Sequence, residues 1–353
     1  PPPPPPTPGA HDLAGPSVRR SAARPRDPPA PWPRPGEVGA ALAERLRDLL
    51  DAQGDLLAEI IGTVMASQGR VLSPDPRPPS SIVVVAACVS AGGAWRRALW
   101  PAVAMECALA AADVFDDLAD AETAVLPPGF GGGVLLIGAA GLLALASHAA
   151  PRADEDGVPA GRVLALGRVL GADLAQAADG QARAAQASPA SGDVVEAYEL
   201  AARKSGPLGS LAARLGALSA RADRGLLRLY GAYGWHLGVY SQLMNDARDA
   251  SPGAPPHKRD LRDARPTVPL IFVGSSPAPA DLGPDALVEW EESERRRVVA
   301  GGGITAAYAL AHAERLRALQ ALDALAGRGR PVRLLADLLG VDLGDGTRTA
   351  TQQ

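Results

Sequence analysis

Aromatic side chains are scarce, 4% of the 353 residues, although 47% of the chain is apolar. That apolar fraction is mostly alanine, leucine and valine, whereas a sheet core draws on aromatic and β-branched residues, so the composition speaks against a β-rich fold. Cysteine occurs only at Cys88 and Cys107, both inside apolar runs and without metal-ligand spacing. A disulfide framework and a zinc site are thereby excluded, and two small core residues in a reducing, cytoplasmic setting remain. An excess of positive charge is also missing, since 35 basic against 39 acidic residues leave a net charge of -4. No basic field attracts nucleic acid, so an anionic ligand has to be gripped locally.

What is abundant is helical patterning. Residues 1 to 36 hold 14 of the 34 prolines and no apolar periodicity, which predicts a disordered tail. The last ten residues, 344 to 353, read the same way. Between these ends one domain, 37 to 343, carries helical patterns over 37 to 67, 80 to 91, 97 to 121, 131 to 149, 159 to 187, 193 to 203, 206 to 220, 223 to 249, 266 to 273, 284 to 299, 303 to 326 and 331 to 340. The fold class expected is all-α. Residues 131 to 149 are uncharged and nearly long enough to cross a bilayer. No basic cluster flanks them, so a buried helix at the centre of the domain is the preferred reading, with no stable membrane span.

Two acidic clusters interrupt this apolar background. In "DVFDDLAD", Asp113, Asp116, Asp117 and Asp120 fall within an arc of about 100° on a helix. In "QLMNDARD", Gln242, Asn245, Asp246 and Asp249 do the same. Acidic helix faces usually point into water and mix charge signs, but the first cluster adds Glu106 and has no lysine among its neighbours. Carboxylates this close raise one another's pKa unless a cation neutralises them. Magnesium suits the task, because it takes carboxylate oxygens and shares its shell with a substrate phosphate.

At these residues the chain resembles the trans-isoprenyl diphosphate synthases. "DDLAD" matches the DDxxD motif of that family, and "QLMNDARD" matches its second aspartate-rich motif. "GQ" at Gly180 and Gln181, "ARKSGPLGSLAARLGA" at 202 to 217 and "KRDLRDARPTVPLI" at 258 to 271 follow in the family's order. The resemblance implies an isoprenoid synthase bundle of helices around an apolar cavity, and a homodimer. It implies that Asp116, Asp117, Asp120, Asn245, Asp246 and Asp249 hold magnesium, three ions in all, with Asp116, Asp117 and Asp246 catalytic. Lys204, Arg265, Arg248 and Lys258 are the residues expected on the substrate diphosphate. Phe115, Ala111, Ala112, Gln181, Gln242, Trp235 and Tyr240 are expected to line the pocket.

The pattern also departs from the family. The acceptor, isopentenyl diphosphate, is held there by a Gly-Lys-x-x-Arg-Pro stretch, a histidine on the first aspartate helix and arginines after DDxxD. Here only Arg77 and Pro78 match the end of the first, Leu109 occupies the histidine position, and "AETAVLPPGF" follows Asp120. The resemblance with those departures implies a terpene synthase that ionises one allylic diphosphate. Small Ala111 and Ala112 imply a deep cavity and a C15 to C25 substrate. The alternatives are a prenyltransferase, making linear polyprenyl diphosphates or alkylating another acceptor, and a non-catalytic subunit that binds a prenyl diphosphate. Asp113 has two readings, a contribution to the metal site or a tether for an arginine. His236 reads better as a satisfied packing residue than as a cavity group.

Overall fold

The computed structural model describes residues 33–76, 80–120, 127, 129–187, 193–254 and 259–340. No strand occurs among them, and the architecture is the all-α one expected. The helices are α1 (Pro35–Asp51), α2 (Asp55–Ser67), α3 (Ile82–Ser90), α4 (Leu99–Ala119), α5 (Gly132–Ala149), α6 (Ala160–Gln186) and α7 (Val194–Ser219). They are followed by α8 (Arg224–Asp249), α9 (Asp260–Asp263), α10 (Val268–Phe272), α11 (Pro284–Ala300), α12 (Gly303–Ala326) and α13 (Arg333–Asp337). The bulk of both tails expected to be disordered lies outside the described residues, and α1 starts two positions before the predicted domain boundary.

Helix α4 is the hub of the main core. From Leu99 to Ala111 almost every side chain is buried, and only the last three turns, which carry the aspartates, reach an accessible region. The antiparallel series α6, α7, α8 and α12 packs side by side and meets α4 through α7 and α6. Small residues let these helices approach closely: the carbonyls of Gly209 and Gly234 on α7 and α8 sit where a β-carbon on the opposite glycine would be placed 2.1 Å away.

One prediction from the sequence fails instructively. The apolar pattern suggests separate helices ending at 203 and starting at 206, but α7 runs unbroken through Pro207. Proline has no N–H, so the carbonyl of Arg203, four residues earlier, loses its helical partner. The α6 backbone packs against that carbonyl at Gly180, where a β-carbon would lie 2.2 Å from the Arg203 oxygen. The proline and the glycine act together: one frees the carbonyl, and the other lets a neighbouring helix come up to it. As a result Gln181 and Lys204 stand beside each other.

The sequence suggested that the uncharged helix α5 is central, but it buries only part of its surface. It is long and apolar enough to span a bilayer, as is the Trp95–Ala119 segment. The latter is a core helix, with 78% of its most apolar window buried. Helix α5 buries Leu135, Ala139, Leu142 and Ala146 against α4 and α2 and leaves Val134, Leu136 and Ile137 exposed.

Because the backbone carbonyl facing Gly180 cannot swing aside, Gly180→Ala is expected to force α6 and α7 apart and cost about 1–3 kcal/mol. Urea unfolding measures this. An unchanged midpoint would mean that the two helices are not in fixed contact there.

Candidate active site

The last turns of α4 put Asp116, Asp117 and Asp120 at one end of the bundle, and the neighbouring helices supply their partners. From α7, Lys204 Nζ donates to Asp116 Oδ1 at 2.7 Å. From α6, Gln181 Nε2 donates to the same oxygen at 2.6 Å. From the segment after α9, Arg265 donates to Asp120 Oδ1 and also faces Asp260 and Asp263 at 3.5 and 3.7 Å. Burial pushes the Asp120 carboxyl above its usual range, the nearby Asp116 charge adds to this, and Arg265 opposes both.

The second acidic group sits around the same lysine. Burial works against the charge of Lys204, but Asp116, Asp120 and Asp246 together hold its pKa above the ordinary lysine value. A single ammonium thus feels carboxylates from both α4 and α8. Asp246 is buried, and its carboxyl is pushed up to about 7, chiefly by burial and secondarily by Asp260 and Asp249, against the hydrogen bond from Gln242. Gln242 Nε2 donates to Asp246 Oδ1 at 2.8 Å, and Gln242 Oε1 accepts from Ser205 Oγ at 2.6 Å. Behind this turn, Arg295 of α11 donates to the carbonyls of Asp249 and Ser251, where the end of α8 leaves oxygens without helical partners.

The sequence argument invoked a metal to neutralise the first acidic cluster. In the structure Arg70, Lys204 and Arg265 pair with Asp113, Asp116 and Asp120. Asp113 is the arginine tether of its two readings: Arg70, itself largely buried, donates to Asp113 Oδ2 at 2.6 Å and to the buried Glu106 at 3.1 Å. The roles of Arg70, Ser205, Asp260 and Arg295 were not recognised in the sequence. Asp260 lay within the quoted "KRDLRDARP" block, but nothing in the sequence revealed that its charge would bear on Asp246.

Several expected residues fall elsewhere. Arg248 is exposed and donates to Asn245 Oδ1 at 2.9 Å, so the oxygen expected on a metal is occupied by that arginine. Lys258 lies outside the described residues, as do Arg77 and Pro78. Tyr240 does not stand beside Gln242. Two residues apart on a helix means opposed directions, and Tyr240 lines a hollow of about 310 Å³ with Met244, Tyr308, Ala311 and His312. Trp235 lies flat on Gly206, where a β-carbon would come within 2.6 Å of the ring. It lines a groove by the first half of α8, away from the aspartates. Ala111 is fully buried in the main core, whereas Ala112 and Phe115 keep part of their surface. His236 is the packing residue it was read as, with Nδ1 2.7 Å from the fully buried Glu314 of α12.

The donor set is one for a hard cation. Every side chain expected to bind metal offers oxygen, and the buried Oε1 of Gln181, next to Asp116, has no hydrogen-bond partner. Among the described residues no three acidic, histidine or cysteine side chains converge as a ready-made metal cage. This agrees with magnesium held jointly by one or two carboxylates and a diphosphate. The residues present fit that ion.

Comparison with known proteins gives the fold. No family model matches the chain, and no curated protein matches it. Among solved structures, a geranylgeranyl pyrophosphate synthase aligns with a TM-score of 0.71 at 15% identity, over 88% of this chain and 100% of its own. A polyprenyl synthetase from Streptomyces coelicolor A3(2) aligns at 0.69 and 22% identity, over 86% of this chain and 98% of its own. A polyprenyl synthase from Caulobacter crescentus CB15, complexed with calcium and isoprenyl diphosphate, aligns at 0.63 and 20% identity, over 86% and 91%. The chain has the all-α fold of the trans-isoprenyl diphosphate synthases.

A carboxyl whose folded pKa is raised binds more protons in the native state than in the unfolded one, so it lowers stability as pH rises through its window. For Asp246 that window runs from the ordinary aspartate range to about 7. The protein without ligands is expected to lose thermal stability from pH 5 to pH 8 in part through this group, and Asp246→Asn is expected to flatten the profile. Magnesium with pyrophosphate should restore the wild type at pH 8 more than the variant. Parallel melting profiles for the two proteins would contradict the assignment.

Proposed function

We propose that the chain is a magnesium-dependent enzyme that ionises an allylic prenyl diphosphate and transfers the prenyl group to an acceptor. The observation that carries this reading is the position of Lys204, paired with Asp116 at 2.7 Å and within the field of Asp246 on the opposite helix. A diphosphate entering between α4 and α8 would meet that ammonium and the guanidinium of Arg265. Both are now balanced by aspartates, and both could exchange those partners for phosphate oxygens if magnesium took over the aspartates they release. The solved structures similar in fold include a geranylgeranyl pyrophosphate synthase, a decaprenyl diphosphate synthase and a heptaprenyl diphosphate synthase. That likeness favours transfer over cyclisation.

Bond breaking needs charge stabilisation on the leaving diphosphate, which Lys204 and Arg265 supply from fixed positions. Magnesium, held by the aspartates of the two motifs in as many as three positions, would add Lewis-acid stabilisation of the same oxygens. Gln181 and Gln242 orient Asp116 and Asp246 through the hydrogen bonds described above. No protein nucleophile is required, because the acceptor attacks the allylic cation directly. Ala112, one turn before Asp116, and Phe115, the residue preceding it, supply apolar surface that keeps water from that cation.

A second reading has its own observation. Leu109 stands where the resemblance calls for a histidine, and Arg70, which reaches α4 near it, is engaged by Glu106 and Asp113. Without a basic site for a second diphosphate, the cation would be captured by its own double bonds, giving a terpene. We further propose a homodimer, which would cover the bare Val134, Leu136 and Ile137 of α5 and Leu164 of α6.

Incubation with C15 to C25 allylic diphosphates and magnesium, with and without isopentenyl diphosphate, separates the readings. Elongated diphosphates are expected only with the acceptor. Hydrocarbons or alcohols formed without it would favour cyclisation, and no turnover in either arm would sink both. Lys204→Ala is expected to lower kcat/KM about 100-fold. Ala112→Phe is expected to shorten the accepted chain. Ala111→Phe, placed in a packed core, should instead destabilise the fold by about 1–3 kcal/mol without a change of preference.

A further inference from the structure

The groove that holds Trp235 is not part of the aspartate site. Its volume is about 660 Å³, and it is lined by Ser210 and Arg214 of α7 and by Arg224, Leu227, Arg228, Gly231, Ala232, Trp235 and His236 of α8. Arg228 precedes Asp246 by 18 positions on one helix, which separates them by about 27 Å along its axis.

The lining has two chemistries. Leu227, Ala232 and the face of Trp235 form an apolar floor, and the ring is held flat because Gly206 beneath it has no side chain. Along the rim stand three guanidiniums. Only that of Arg214 is neutralised, by Asp173, whose two oxygens both lie 2.9 Å from its Nη1. Arg224 and Arg228 are exposed and make no ion pair among the described residues. The nearby carboxylate of Asp223 is occupied in capping α8, accepting from the Leu226 amide at 2.8 Å. Arg328 approaches the same turn, and Arg162 donates to the Ala222 carbonyl at 2.6 Å, so further positive charge surrounds the rim. In a chain of net charge -4 this local excess is not a product of overall composition.

We propose that this groove binds an amphipathic phosphate, with a phosphorylated head held by Arg224 and Arg228 and a hydrocarbon chain laid along Leu227, Ala232 and Trp235. Guanidinium forks match the geometry of phosphate oxygens, and two of them balance a doubly charged head. An apolar hollow of this size with a few cationic groups at one edge is the form such a ligand requires. The site uses no metal ion. The same chemistry is offered by a free prenyl monophosphate and by the headgroup of an anionic lipid in a bilayer.

The test is titration of the full chain, in EDTA, with farnesyl monophosphate by calorimetry, and in parallel sedimentation with vesicles containing phosphatidic acid. Arg224→Ser with Arg228→Ser is compared with the wild type and with Lys204→Ala. Both arginines are exposed, and equal melting temperatures will establish that the double variant is folded. Binding of either probe should weaken about tenfold or more in the double variant and persist in Lys204→Ala. Capture of the soluble amphiphile identifies a free prenyl phosphate as the ligand, whereas capture of vesicles alone identifies a membrane headgroup. Binding that survives in the double variant, or no binding of either probe by the wild type, overturns the proposal.

Discussion

A half-buried ammonium surrounded by carboxylates from two helices is the constraint on which the candidate site depends. Lys204 is costly to desolvate, and Asp246 is equally costly as an anion. Each is tolerable because the other charges lie close by, with Asp116 2.7 Å from the lysine and Asp120 drawn toward Arg265. On the proposed function, each cation would trade its carboxylate for an incoming phosphate. On the α8 side, burial together with the charges of Asp260 and Asp249 raises the Asp246 carboxyl, and the hydrogen bond from Gln242 and the charge of Lys204 oppose this only in part.

That arrangement rests on backbone geometry several residues from the charges. Pro207 withdraws a helical hydrogen bond from the Arg203 carbonyl, and Gly180 accepts the close approach that follows. Gln181 and Lys204 are the next residues on their helices, and both reach the same oxygen of Asp116. On the other side, the Gly209 and Gly234 contact brings α8 against α7, so that Ser205 can hold Gln242, which in turn holds Asp246. Local propensity is given up at these residues, and the return is a fixed position for Gln181, Lys204, Ser205 and Gln242.

The molecule therefore divides its polar chemistry between two ends of one helix. The last turns of α8 carry the aspartates and a supporting clamp from Arg295, while its first turns carry unpaired arginines beside an apolar floor. The middle is occupied by contacts that hold the bundle together, such as the Glu314 network with Tyr198 and His236.

The sequence alone determined the helical class, the approximate extent of most helices and the two acidic faces, because periodicity and clustering are local properties that a chain displays without folding. By resemblance it also marked Lys204 and Arg265 as cations for a substrate diphosphate. What it could not supply was the compensation of charge. Lys204 and Asp116 are 88 positions apart, and Arg265 and Asp120 are 145 apart, so only tertiary packing could show that amino-acid cations, and not solely a metal, neutralise the aspartates. The same applies to Tyr240 and Trp235, which are near the motif in sequence but directed elsewhere by the rotation of α8 and its neighbours. Residue types are written along the chain, whereas which of them share a dielectric environment depends on where distant helices come to rest.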